Sequence, residues 1–433
     1  MNSLFRTEAE PEVIRPRLHE CQSCGLLQTV PALAPGISAH CSRCGTTLHR
    51  ARRHPLEHSM ALTLAALVLL AVMCVTTLMS VETAGITLHA DLLSGPAELI
   101  ERGMTALAAV VVFVTVVAPF GKLLGTLYVL AGLHMAHPPR HLRRVFVLVE
   151  RLTPWSMIEV FVLGVLVAYV KLGDLVTITL GTGVFALFAL TFVMVWADSA
   201  LDREAVWDAL DRATTADRAS RNLPTREPVT DAIGCESCGL VSVPAPGEAR
   251  CPRCDSMLHE RKPNSLARTW ALMLAAAILY VPANLYPVLT VMQLGAGQPS
   301  TILGGVRELI SSGMYPLAAL VFFASIAVPM LKLVGLTVML VATQTGRAGW
   351  LRDRTRLYHV VRWIGRWSMI DIFMESLLGA LVRFGGVITI EPGIGAVAFC
   401  GVVILTMLAA EAFDPRLMWD AAGQQTRSAA TWA

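Results

Sequence analysis

Cys21-Gln-Ser-Cys24 and Cys41-Ser-Arg-Cys44 open the chain, and Cys235-Glu-Ser-Cys238 and Cys251-Pro-Arg-Cys254 open it again near its middle. A block of long apolar segments follows each quartet. Val117-Ala-Pro-Phe-Gly-Lys122-Leu in the first block answers Val328-Pro-Met-Leu-Lys332-Leu in the second. Trp155-Ser-Met-Ile-Glu159 answers Trp367-Ser-Met-Ile-Asp371, and Trp207-Asp answers Trp419-Asp. A duplication of this length fixes the architecture as two copies of one unit.

Of 433 residues, 55% are hydrophobic and 15% charged. The apolar residues come in runs, and runs of about 20 can cross a hydrocarbon core of about 30 Å as helices. Candidate spans are 60–80, 104–133, 156–170 and 182–200 in the first half, and 266–291, 314–343, 368–382 and 394–411 in the second. The expected fold is an all-α polytopic membrane protein: two tandem four-helix transmembrane modules in a parallel repeat, each preceded by a small cytoplasmic zinc ribbon. The boundaries are ribbon 1–55, module 56–203, charged linker 204–230, ribbon 231–262, module 263–415 and cytoplasmic tail 416–433. The start of the linker is expected to prolong the fourth helix.

Arg140, Arg143, Arg144 and Arg151 follow the second span, and Arg347, Arg352, Arg354, Arg356, Arg362 and Arg366 follow its counterpart. Such loops stay cytoplasmic. Both ribbons and both termini are then expected on that side, and the opening residues lack the apolar stretch of an export signal. Two alternating β-branched segments, 175–181 and 387–393, are expected to be extended and to pair as a small β surface on the far side. A net charge of +3 gives no footprint for nucleic acid, and no G-x-x-x-x-G-K-[ST] motif offers a nucleotide site.

Two CxxC knuckles presenting four thiolates suit a closed tetrahedral zinc site, structural rather than catalytic. The candidate ligands are Cys21, Cys24, Cys41 and Cys44, then Cys235, Cys238, Cys251 and Cys254. Iron has the same ligand set, and redox dithiols are a further alternative. Gly25, Gly45 and Gly239 follow knuckle cysteines where positive φ is often needed, and Asp255 holds the fourth such position. His49 and His259 read as surface histidines.

Lys122 and Lys332 stand deep in apolar sequence, where a charge costs on the order of 3 kcal/mol. Either they face inward toward Glu159 and Asp371, or they snorkel to the interface. The halves differ. Ser325, Ser368, Thr406 and Glu375 join Lys332 and Asp371 in the second half, whereas Leu163 stands where Glu375 would be in the first. Pro282-Ala-Asn284-Leu-Tyr-Pro287 is expected to break the first helix of the second half, which places the functional pocket there.

The quartets, the Pro282–Pro287 stretch, Glu308-Leu-Ile-x-x-Gly313-Met314, Pro329-Met-Leu-Lys332 and Trp367-Ser-Met-Ile-Asp371 together resemble the paraquat-inducible protein A family (PqiA/LetA-like) over essentially the whole chain. The Asn-x-x-Pro signature is missing from the first half, at Cys74–Thr77. The resemblance implies a multi-pass bacterial inner-membrane protein that works with a periplasmic tunnel protein of the mammalian-cell-entry (MCE) family, with phospholipid or another membrane lipid as cargo. On this reading the chain is not an enzyme. It loads or receives lipid, and a Lys/Asp network could couple the movement to protons. The rival readings are a thiol or membrane-stress sensor and a passive anchor for the MCE partner.

Overall fold

The structure, a computed structural model, describes residues 17–31, 33–52, 55–83, 86–135, 138–139, 141–173, 177–214, 232–244, 250–293, 296–381, 383–384 and 388–423. The expected linker lies partly outside them. The protein is mostly helical. Among the described residues, seven helical segments are long and apolar enough to cross a membrane: Leu56–Val75, Thr105–Leu133, Leu142–Lys171 (taken through a 3-10 turn at Thr153–Trp155), Thr182–Ala200, Ser265–Leu285, Tyr315–Gln344 and Ile394–Ala412. The expected eighth, Ile370–Leu381, has only 12 residues. It reaches about 18 Å at 1.5 Å per residue, short of the bilayer core. Nearly all of its residues are buried, so protein rather than lipid surrounds it.

The two halves repeat each other in detail. In each, the first and fourth long helices pack together, Pro55–Val75 on Thr182–Ala200 and Ser265–Leu285 on Ile394–Ala412. The second helix carries a π turn at Phe113–Val117 and again at Phe323–Ala327. Proline explains both turns. Pro119 and Pro329 have no N–H to give the carbonyls of Thr115 and Ser325, so the ladder widens there. Amphipathic helices Leu142–Leu152 and Leu351–Ile364 then lead to the third helices, Ile158–Gly173 and Ile370–Leu381. These third helices form the seam between the halves. Gly164 lies under Phe373, and the Phe161 and Phe373 rings meet edge to face at 5.5 Å.

Four expectations are corrected here. The fold is not purely helical: each half carries an antiparallel sheet opposite the ribbons. The extended segments do not pair with each other. Thr177–Leu180 joins the hairpin Met79–Thr83/Ile86–Ala90, and Ile388–Pro392 joins Leu289–Gln293/Ala296–Ser300. Packing of first against fourth helix presents each segment to its own half. Gly181 and Gly393 sit so close to the carbonyls of Thr77 and Pro287 that a side chain would collide with them. Pro282 does not break its helix, which continues to Leu285, with the Tyr286 amide still reaching the Pro282 carbonyl at 3.0 Å. Proline within the last turn forfeits one bond without redirecting the chain. Finally, the fourth helix ends at Ala200. Asp202 caps a new helix, Arg203–Thr214, through the amides of Glu204 and Ala205 at 3.1 and 3.2 Å.

The ribbons dock crosswise. The first quartet shares a core with Met273, Leu336, Leu340, Tyr358, Phe413 and Trp419, all from the second half. The second quartet shares a core with Val129, Phe146, Val206, Trp207 and Leu210 of the first half. Each ribbon holds its tryptophan with a knuckle arginine, Arg43 over Trp419 at 4.5 Å and Arg253 over Trp207 at 5.4 Å. Arg416 ties the crossing together. It is buried and bonds Asp414 at 2.9 Å, Glu20 of the first ribbon at 3.1 Å and Glu236 of the second at 2.6 Å.

Candidate functional site

The quartets are assembled as the spacing predicts. All eight cysteines are buried, and each quartet's four sulfurs lie within 4.8 Å of one another. The Cys21–Cys44 and Cys24–Cys41 Sγ distances are both 3.5 Å; Cys235–Cys254 and Cys238–Cys251 are 3.5 and 3.6 Å. A tetrahedron with metal–sulfur bonds of about 2.3 Å has edges of about 3.8 Å, so little movement would close it on an ion. Gly25, Gly45, Gly239 and Asp255 all have positive φ, between 63° and 78°. Each of these residues closes its knuckle by donating its amide to the carbonyl of the knuckle's first cysteine, at 2.7 to 3.0 Å. His49 is no ligand: its Nδ1 meets Glu204 at 2.9 Å.

The buried lysines part company. Lys122 Nζ pairs with Asp198 at 2.7 Å rather than with Glu159. Asp198 is about half exposed, near the ribbon-side end of the fourth helix. The equivalent position in the second half is Ala410, so Lys332 has no such acid. Its Nζ donates to the Gly365 carbonyl at 2.9 Å and to Thr406 Oγ1 at 3.2 Å, with no direct bond to Asp371. Lys332 is only 1% exposed. Glu159 meets Arg366 of the other half at 3.1 Å, because the third helices lie side by side. Asn284 donates back to the Tyr280 carbonyl at 2.8 Å and stands apart from these groups.

From Gly365 the chain runs as a 3-10 turn, Gly365–Met369, and then as the short helix Ile370–Leu381. Gly365, Ser368, Asp371 and Glu375 are spaced three, three and four apart, so one side of the segment carries them all. Ser368 Oγ and Asp371 Oδ1 are buried without a hydrogen-bond partner among the described residues. Ser325 is fully buried in the π turn that packs on this segment, and its hydroxyl donates to the Val321 carbonyl at 2.7 Å. A cavity of about 280 Å³ opens on the ribbon side between Lys332, Thr406, His359, Arg362 and Arg366. A smaller one, of about 30 Å³, lies toward the sheets and takes in Asp371, Glu375 and Lys171. The sequence reading missed Lys171, Asp198 and Ala410. Lys171 could have been noticed as a cation ending an apolar run, but its placement against the other half's acids depends on the seam.

The paraquat-inducible protein A family model matches residues 56–211 and again 266–423. Intermembrane transport protein PqiA of Escherichia coli (strain K12) is 35% identical over 405 residues, covering 92% of this chain and 95% of that protein. Lipophilic envelope-spanning tunnel protein A of the same strain is 31% identical over 410 residues, covering 95% and 93%. A probable intermembrane transport protein of Haemophilus influenzae is 27% identical over 408 residues, covering 93% and 96%. No solved structure matches. The two family matches fall on the two halves that the quartets introduce, and this multi-pass membrane chain belongs to the paraquat-inducible protein A family.

Proposed function

We propose that this chain is the inner-membrane subunit of an intermembrane lipid-transport system. It would pass lipid to or from a periplasmic MCE-type tunnel partner without acting as an enzyme. The observation that carries the reading is the buried polar line of the second half. It starts at Lys332 beside the larger cavity, passes Thr406 and Ser368, and ends at Asp371 and Glu375 beside the smaller one. Ser325 flanks it. A lysine held only by neutral oxygens, on a buried line that ends at an aspartate whose Oδ1 has no hydrogen-bond partner among the described residues, is costly inside a membrane and suggests use. Protons moving along this line are the proposed drive for lipid movement. The first half closes its own lysine with Asp198, and so serves as support. Relatives named for intermembrane transport and for an envelope-spanning tunnel agree with this cargo and route.

In this reading Ile370–Leu381 is the fourth member of the second module, so each module has four helices. The arginine-rich amphipathic helices and both ribbons face the cytoplasm, and the sheets face the periplasm. Each quartet holds one structural zinc ion, since a shell closed by four thiolates leaves no position for water. The test is rescue of an envelope-lipid defect. Lys332→Ala and Asp371→Ala abolish rescue at normal abundance, while Lys122→Ala and Glu159→Ala cost less. Full rescue by Lys332→Ala would sink the proposal.

A further inference from the structure

The small cavity lies on the seam, and both halves build it. The first half contributes Lys171, at the end of Ile158–Gly173, and the second contributes Asp371, Glu375, Ser300 and Thr301. Asp371 and Glu375 are each 4% exposed, and Asp371 Oδ1 has no hydrogen-bond partner among the described residues. Two carboxylates this deep call for a cationic donor. The space of about 30 Å³ admits roughly two water-sized groups. A primary ammonium with its methylene fits that space, whereas a trimethylammonium does not. Lys171, half-buried on the same wall and within electrostatic reach of Glu308, Glu375 and Asp371, sets one positive charge against three acids and leaves room for a second cation. The remaining lining is apolar, with Val167, Leu309, Val321 and Met374.

A cation pocket too tight for choline, an adjacent lysine and an apolar surround match one ligand chemistry. Resting on the lipid-transport reading above, we propose that this cavity takes the ammonium end of an amine-bearing phospholipid headgroup. The primary ammonium lies between Asp371 and Glu375, and the phosphate, too large for the cavity, lies outside it on the Lys171 side. An ammonium has three N–H donors, and Asp371 Oδ1, the Glu375 carboxylate and the Thr301 hydroxyl supply acceptors. A phosphatidylglycerol headgroup brings no cation and leaves the acids unmet. The seam thus makes lipid choice a joint property of the two halves: one reads the phosphate and the other the amine.

The test is native mass spectrometry of the intact chain from membranes of equal phosphatidylethanolamine, phosphatidylcholine and phosphatidylglycerol content. A series of singly, doubly and triply N-methylated headgroups is run on the wild type. Phosphatidylethanolamine is expected to be retained about tenfold over phosphatidylcholine, the scale of one charge-assisted hydrogen bond, with the sharpest fall at the third methyl. Glu375→Gln removes the preference, and Lys171→Met weakens retention of all three lipids alike. Equal retention of phosphatidylethanolamine and phosphatidylcholine by the wild type overturns the proposal without needing a variant to fold. So does displacement of the lipid by sodium at millimolar concentration. If headgroup preference is absent while Lys332→Ala still abolishes envelope rescue, only the headgroup site falls. If the wild type retains no lipid of any class, the transport reading falls with it.

Discussion

Replacing Arg416 with alanine should loosen the junction of both ribbons with the second half. Arg416 is 3% exposed, and it faces Asp414 at 1%, Glu20 at 9% and Glu236 at 40% exposure. The Glu236 bond is half in solvent and is discounted. Glu20 keeps the Gly234 amide at 2.6 Å and the more distant Arg261, and Asp414 keeps its backbone amides. Breaking a buried pair from one side costs about 3–5 kcal/mol. If the ribbons open locally before metal escapes, metal release to a chelator should accelerate by about two to four orders of magnitude. The pH dependence has a definite sign. Burial opposes the charge on Asp414, but Arg416 and the backbone amides hold its carboxyl below the usual range. In the wild type that contribution is present above about pH 4 and is lost as pH falls through the depressed value. Burial pushes Glu20 up in spite of Arg416. Without the guanidinium both acids rise, so the folded state binds protons that the unfolded chain has released. The deficit of Arg416→Ala should therefore be larger at pH 8 than at pH 5.5, and Glu20→Gln with Asp414→Asn should recover part of it. Metal release within twofold of wild type at pH 8 would refute the clamp.

Purified protein should carry about two metal ions per chain, and metal analysis near zero with disulfides inside each CxxC would contradict the quartets. Trp419→Ala should expose the first quartet to thiol labelling and spare the second, and Trp207→Ala should do the reverse. Labelling at the sequence-adjacent ribbon instead would disprove the crossed docking. Gly164→Ala puts a Cβ 2.8 Å from the Phe373 Cβ and 3.4 Å from the Ile370 carbonyl. Overpacking the seam in this way should cost about 1–3 kcal/mol, read as a lower melting temperature, and an unchanged melt would mean that the third helices do not meet there.

Local sequence carried what depends on local physics. Thiolates two residues apart, glycine after the knuckle and apolar runs of membrane length each follow from neighbours, and each was legible. The expected span 368–382 holds a helix of only 12 residues, Ile370–Leu381, because Ser368 and Met369 belong to the preceding 3-10 turn. Long-range pairings were not legible. Asp198 finds Lys122 across 76 positions, and Glu159 finds Arg366 across 207. Nothing in either ribbon's own residues says which half it will dock on, since both halves offer a tryptophan at the matching place. The duplication itself misled in one respect. It suggested that Lys332 should have the same kind of partner as Lys122, but Ala410 in place of Asp198 removes that acid.

The crossed ribbons also set an order of events during synthesis. Cys44 leaves the ribosome 375 residues before Trp419. At about 5–20 residues per second, that is roughly 20–75 s in which the first ribbon lacks its complete seat. The second ribbon meets Trp207 soon after it emerges, since that helix is already made. Its early docking would brace the first half while the second is still being inserted. The first ribbon then closes last, on Trp419 and its neighbours of the second half. A nascent chain that stops short of Trp419 lacks that seat, so the finished junction reports that synthesis has passed Trp419.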